Sequence, residues 1–197
     1  DETTRTTGKV AAMAEYFASA APADAAWAVY FLSGGRPKRL IPVRRLSAWA
    51  MECAGIAEWL FDECYHAVGD LAETIALLLP PADRDSDTPL HRWVEERLLP
   101  LATQDEAAQR ETILASWREL GGTARFVWNK LLTGSFRVGV SRQLVVRALA
   151  QSSGVDEGTL SHRLSGSWSP SAAWFTALVT ADTRDADRSR PYPFYLA

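Results

Sequence analysis

The sequence predicts an all-α fold, with several helices packed in two or more layers around one or two cores. Three observations predict it. Apolar residues recur at spacings of three and four through most of the chain. Glycine and proline punctuate the intervals between these periodic stretches. Strand-like alternation is confined to five residues, Phe136-Arg137-Val138-Gly139-Val140, too short to outweigh the helical pattern.

Taken in order, Lys9 to Ala20 repeats Val10, Met13, Ala14 and Phe17 on one helical face. Pro22 opens the next helix, which carries Trp27, Tyr30 and Phe31 and ends at Gly34-Gly35. Pro37 and Pro42 hold residues 36–43 in a loop or short turn. Arg44 to Cys53 restarts with Leu46, Trp49 and Ala50 and breaks at Gly55, and Ile56 to Tyr65 adds Trp59 and Leu60. Gly69-Asp70 precedes a helix from Leu71 to Leu79, which Pro80-Pro81 stops. Further helices are expected at 90–99, 104–120, 123–133, 141–152, 157–165 and 170–180. Residues 80–89 (PPADRDSDTP) read as an exposed loop and suggest a division of residues 1–181 into two helical halves.

Composition excludes several classes. The 197 residues are 47% hydrophobic and 23% charged, enough apolar content for a packed core and too much for wholesale disorder. No run approaches the ~20 apolar residues of a membrane span. Two cysteines do not make a disulfide scaffold. The first residues, DETTRTTG, carry no signal peptide.

The net charge of -3 argues at first against a nucleic-acid partner, but the charges are segregated. Residues 1–51 carry seven basic and four acidic side chains, residues 52–111 four and fourteen, and residues 112–155 six and one. From Leu120 to Val155 there is no carboxylate, while Arg125, Lys130, Arg137, Arg142 and Arg147 are present. A second acid-free stretch holds Arg36, Lys38, Arg39, Arg44 and Arg45. On one face these stretches would make a strongly positive surface, with the acidic middle turned away. Read separately, they are solvated helix ends.

Enzymatic chemistry finds little support. Cys53, Cys64 and His66 match no common zinc spacing, and His91 and His162 stand alone. Asp62-Glu63 and Glu95-Glu96 are adjacent pairs, whose side chains diverge on a helix. No phosphate-binding glycine loop of either common type occurs. No catalytic residue and no metal ligand is therefore assigned. The tryptophans sit at helical spacings and read as core, except Trp168, whose Gly-Ser loop suggests the surface.

The informative segment is Lys130-Leu-Leu-Thr-Gly-Ser-Phe-Arg-Val-Gly-Val-Ser-Arg142. Gly134 ends one helix and Ser141 caps the next. Amides at that helix start, flanked by Arg137 and Arg142 with Lys130 a turn earlier, would form a phosphate site. Gly139, without a Cβ, would let a phosphate backbone approach. Gly34-Gly-Arg-Pro-Lys-Arg39 repeats the logic. The candidate DNA-binding set is Arg36, Lys38, Arg39, Arg44, Lys130, Thr133, Gly134, Ser135, Arg137, Gly139, Ser141 and Arg142. A competing pattern lies at 144–164, where a turn at Ser153-Gly154-Val155 joins two helices as in a helix-turn-helix. It would offer Thr159, Ser161, His162 and Arg163 to bases, although Asp156 and Glu157 at the helix start repel phosphate. A helical protein-interaction scaffold is the third alternative.

The stretches KLLTGSFRVGVSRQLVVRALA (130–150) and FLSGGRPKRLIP (31–42), with Gly69-Asp70-Leu71 after them, resemble the N-terminal DNA-binding domain of ATP-dependent DNA ligases, most closely bacterial ones. The likeness runs from Lys9 to Ala197. It implies an all-helical domain that binds duplex DNA across the minor groove around a nick, without sequence preference. It implies binding roles for Gly134, Arg137 and Gly139, and more loosely for Arg36, Lys38 and Arg39. It also implies that the charged, aromatic residues 182–197, ending Pro-Tyr-Pro-Phe-Tyr-Leu-Ala, lead into a nucleotidyltransferase domain in the same polypeptide. That domain's catalytic lysine lies in KxDG, and none of Lys9, Lys38 and Lys130 is followed by xDG. ATP and Mg2+ are accordingly expected for the full enzyme in repair, replication or recombination, and no cofactor for this segment. A monomer working in the bacterial cytoplasm, at the nucleoid, is expected.

Overall fold

The computed structural model describes residues 6–37, 40–82, 86–134, 136 and 139–181. Among them eleven α-helices occur and no strand, as the helical periodicity requires. They are α1 (Thr6–Ser19), α2 (Pro22–Leu32), α3 (Val43–Ala54), α4 (Glu58–Val68), α5 (Leu71–Leu78), α6 (Leu90–Arg92), α7 (Glu106–Glu119), α8 (Gly122–Thr133), α9 (Arg142–Ser153), α10 (Glu157–Ser165) and α11 (Ala172–Val179). The single helix expected at 90–99 is composite. α6 widens into a π-type segment, Trp93–Leu98, and then tightens into a 3₁₀ segment, Leu99–Ala102. Pro100 explains the change of register. It has no amide hydrogen to donate backwards, and its ring crowds the carbonyl four residues earlier.

Helix ends follow local chemistry. Asp70, Asp105, Ser141, Asp156 and Ser171 each cap a helix, accepting from the amides of Glu73, Ala108, Leu144, Thr159 and Trp174. Each such cap is worth about 1 kcal/mol. Among the described residues, no helix is long and apolar enough to cross a membrane.

The chain divides into two compact units. One joins the residues up to Gly35 to those from Arg137 onward, and the other spans Arg36–Phe136. Residues 80–89, where the sequence suggests a boundary, lie inside the second unit. Residues 182–197, read as a linker, fall outside the described residues.

In the first unit, α1 lies along α9 and α2 against α11. Val10, Met13, Ala14 and Phe17 of α1 join Val145, Val146 and Leu149 of α9, Leu160 and Leu164 of α10, and Phe175 and Leu178 of α11 in one apolar core. Trp168 is partly buried against the core rather than exposed as its loop suggested. Its ring stacks on Trp174 with centroids 4.0 Å apart, and its Nε1 donates to the Leu164 carbonyl at 3.2 Å. A large apolar ring at the end of a helical unit gains more from packing on another ring than from water.

In the second unit, α5 packs on α8, and α3 and α4 pack on α5. A buried polar thread crosses it: Trp117 Nε1 donates to Asn129 Oδ1 at 2.8 Å, and Asn129 Nδ2 donates to the Ala72 carbonyl at 3.2 Å. Arg125 departs furthest from its sequence reading. It is 3% exposed, and its guanidinium donates to the carbonyls of Trp117, Leu120, Leu79 and Pro80. It therefore closes the C-terminal ends of α5 and α7 and adds nothing to a positive face. Burial lowers its pKa.

Candidate nucleic-acid interface

The described residues of the expected site fall into two sets, one in each unit. In the second unit, the basic loop after Gly35 is anchored by Ile41, 1% exposed. Arg36 is exposed. The Pro37 carbonyl lies 4.0 Å from where a Cβ on Gly134 would stand, so Pro37 lies beside the end of α8. Gly134 terminates α8 with φ 65°, a left-handed conformation that glycine adopts without the Cβ penalty. Lys38, Arg39, Ser135 and Arg137 lie outside the described residues.

α3 then begins with Val43, Arg44 and Arg45, with no carboxylate in its first turn. Arg45 is neutralised: it pairs with Glu106 at 2.9 Å and donates to Gln109 Oε1 at 3.1 Å. Arg44 is exposed at the same helix start. Cations are disfavoured at the positive end of a helix, so Arg44 adds to, rather than cancels, the local positive potential.

Lys130 and Thr133 are occupied inside the fold. The Lys130 ammonium pairs with Asp70, the N-cap of α5, and lies 5.3 Å from the Phe126 ring centroid. Asp70 is partly desolvated, which raises its pKa, but the Lys130 hydrogen bond and the α5 amides outweigh burial, and the net shift is downward. The pair sits in the wall of a cleft of about 250 Å³ that Val43, Tyr65 and Leu71 also line. The cleft wall carries one charge of each sign there. The Thr133 hydroxyl donates back to the Asn129 carbonyl at 3.0 Å and is buried.

In the first unit the loop closes on α9. Gly139 has φ 61°, and its carbonyl accepts from Lys9 Nζ at 3.1 Å. Ser141 caps α9 as expected. Arg142 occupies the first turn, again with no carboxylate beside it. Arg142 donates to the Leu164 carbonyl, which fixes the guanidinium at the helix start and leaves other N–H groups of its fork. The first amides of α9 have no carbonyl one turn back. Arg147 is exposed farther along α9.

Sequence reasoning missed Lys9, which no local spacing links to Gly139, and it missed the role of Asp70 as the partner of Lys130. In the helix-turn-helix alternative, Ser161 and His162 are exposed. Arg163 instead donates to the carbonyls of Ala177, Leu178 and Thr180, tying α10 to the end of α11.

By contrast, α4, α7 and α10 begin with acidic residues, which suits the helix dipole. The arginine-bearing starts of α3 and α9 forgo that stabilisation, and such a start attracts anions. A family model described as DNA ligase N terminus matches residues 1–150. No curated protein and no solved structure matches the chain.

Proposed function

The chain belongs to the DNA ligase N-terminus family, and from that premise we propose that it binds duplex DNA at a nick and positions the break for sealing. The phosphates are held by Arg36, Lys38, Arg39 and Arg44 on one unit and by Arg137, Gly139, Ser141 and Arg142 on the other. Gly134 ends α8 in a left-handed turn, Ser135 is assigned to the same set, and Lys130 and Thr133 hold the end of α8 from within. Contacts of this kind give affinity without reading bases, which suits a protein that must act at any nick. What carries this conclusion beyond the family is the pair of helix starts, α3 and α9, that bear arginine and no carboxylate. The minor groove is the proposed face of the duplex.

Sealing itself is assigned to a nucleotidyltransferase domain of the same polypeptide, using ATP and Mg2+ in bacterial DNA repair, replication or recombination. Lys9 and Lys130 are bonded to Gly139 and Asp70, and no lysine here is followed by xDG. No adenylation step is therefore placed on this chain. It is proposed to bind as a monomer in the cytoplasm.

The test is Arg137→Ala in a duplex-binding titration across salt. The variant should bind more weakly and lower the slope of log affinity against log salt by about one. It should weaken unrelated duplexes equally. Unchanged binding at every salt concentration would overturn the reading. A single preferred duplex sequence would favour the helix-turn-helix alternative.

A further inference from the structure

The second unit exposes large apolar side chains that lie outside the residues proposed to bind DNA. Trp59 on α4 and Leu77 on α5 are each 68% exposed, and Leu60 is exposed beside Trp59. The two helices pack on one another. A tryptophan that projects into water forgoes the burial that makes this side chain stabilising. Its inward neighbour Phe61 supplies the packing of α4 instead.

Charge defines what would cover this surface. From Leu46 to Ala82 there are six carboxylates and no lysine or arginine. Glu52 and Asp70 are matched by Arg110 and Lys130. Among the described residues, no cation pairs with Glu58, Asp62, Glu63 or Glu73. Asp62 and Glu63 stand three and four residues after Trp59, and Leu77 stands four after Glu73. On a helix these spacings place apolar and acidic side chains together on one face. An exposed aromatic anchor with carboxylates one helical turn away repels phosphate and complements a cation-flanked apolar segment.

We propose that the outer surface of α4 and α5 docks a partner protein, through a segment that presents large apolar side chains flanked by lysine or arginine. The surface uses none of the residues proposed to bind DNA, and on that reading the full chain would hold DNA and this partner independently.

The experiment titrates the chain into a fluorescein-labelled amphipathic helical peptide of leucine and lysine, followed by anisotropy. The leucine–glutamate counterpart is the control. The basic peptide should bind, and the acidic one should not. Trp59→Ala should weaken binding about tenfold, and Leu77→Ala and Glu63→Lys should each weaken it too. Duplex affinity should be unchanged in all three. Circular dichroism checks that each variant folds, and if Trp59→Ala does not, the other two decide. Absence of binding, equal binding of both peptides, or binding unchanged in the variants would overturn the proposal. So would displacement of the peptide by duplex DNA. A concentration-dependent dimer that Trp59→Ala abolishes would assign the surface to a second copy instead.

Discussion

Lys9, on the first helix, donates its ammonium to the carbonyl of Gly139 at 3.1 Å, across 130 positions of sequence. The bond fastens the turn that leads into α9, and with it the start of the helix that carries Ser141 and Arg142. Lys9→Met keeps the stem and removes the donor. We expect a loss of about 1 kcal/mol in stability, read as a small fall in Tm. Duplex affinity should fall about threefold to tenfold, measured by fluorescence anisotropy. Lys9→Arg should recover most of it.

Gly139 itself has φ 61°, and an added Cβ would stand 3.0 Å from Lys9 Nζ. The flexible lysine end moves aside easily, so the backbone conformation sets the cost. Gly139→Ala should destabilise the protein by about 1 kcal/mol, with a Tm shift of roughly 2–4 °C for a chain of this size. A Tm equal to that of the parent protein would show that the turn relaxes freely.

Asp70 links stability to pH. Its carboxyl titrates below its ordinary range, because Lys130 and the α5 amides outweigh burial. A depressed folded-state pKa contributes stability that is present above the unfolded value and is lost as pH falls through the folded one. Unfolding by urea should therefore show this contribution intact above about pH 4 and shrinking below it. Asp70→Asn retains a capping oxygen but not the charge. It should lower stability at neutral pH and flatten the acid limb of the profile.

Arg125 is buried with its donors on four main-chain carbonyls. Arg125→Met leaves those carbonyls without partners in the interior and should cost about 3 kcal/mol or more. Chemical denaturation would register it. Where the variant remains folded, the salt slope of DNA binding should not change, because this charge never reaches the surface.

Arg125 and Arg137 look alike in the sequence. Both lie in the same acid-free stretch, and only partners far along the chain reveal that Arg125 is buried. Arg125 meets Leu79 and Pro80, which follow α5, and no periodicity in 120–155 points there. Lys130 is the same case, since its pairing with Asp70 depends on α5 packing against α8. Trp168 lies among small polar residues that suggest exposure, yet an aromatic six positions on, Trp174, stacks on it. The helix ends were legible for the opposite reason. Gly134, Ser141 and Pro22 act within their own turn, through a backbone angle, a capping oxygen or a missing amide hydrogen.

The sequence by itself determined the all-α class, nearly every helix, the cap of α9, the segregation of charge and the family likeness. These depend on interactions spanning a few residues, or on counts along the chain. Tertiary structure alone decided which cations stay at the surface. Arg125, Lys130 and Arg45 are neutralised or buried by groups distant in sequence, whereas Arg44 and Arg147 are exposed. It also decided that the chain divides at Gly35 and Phe136 rather than at its most polar loop. A compact unit is defined by which helices share a core, and α1 finds its partner in α9, which lies more than 120 residues away.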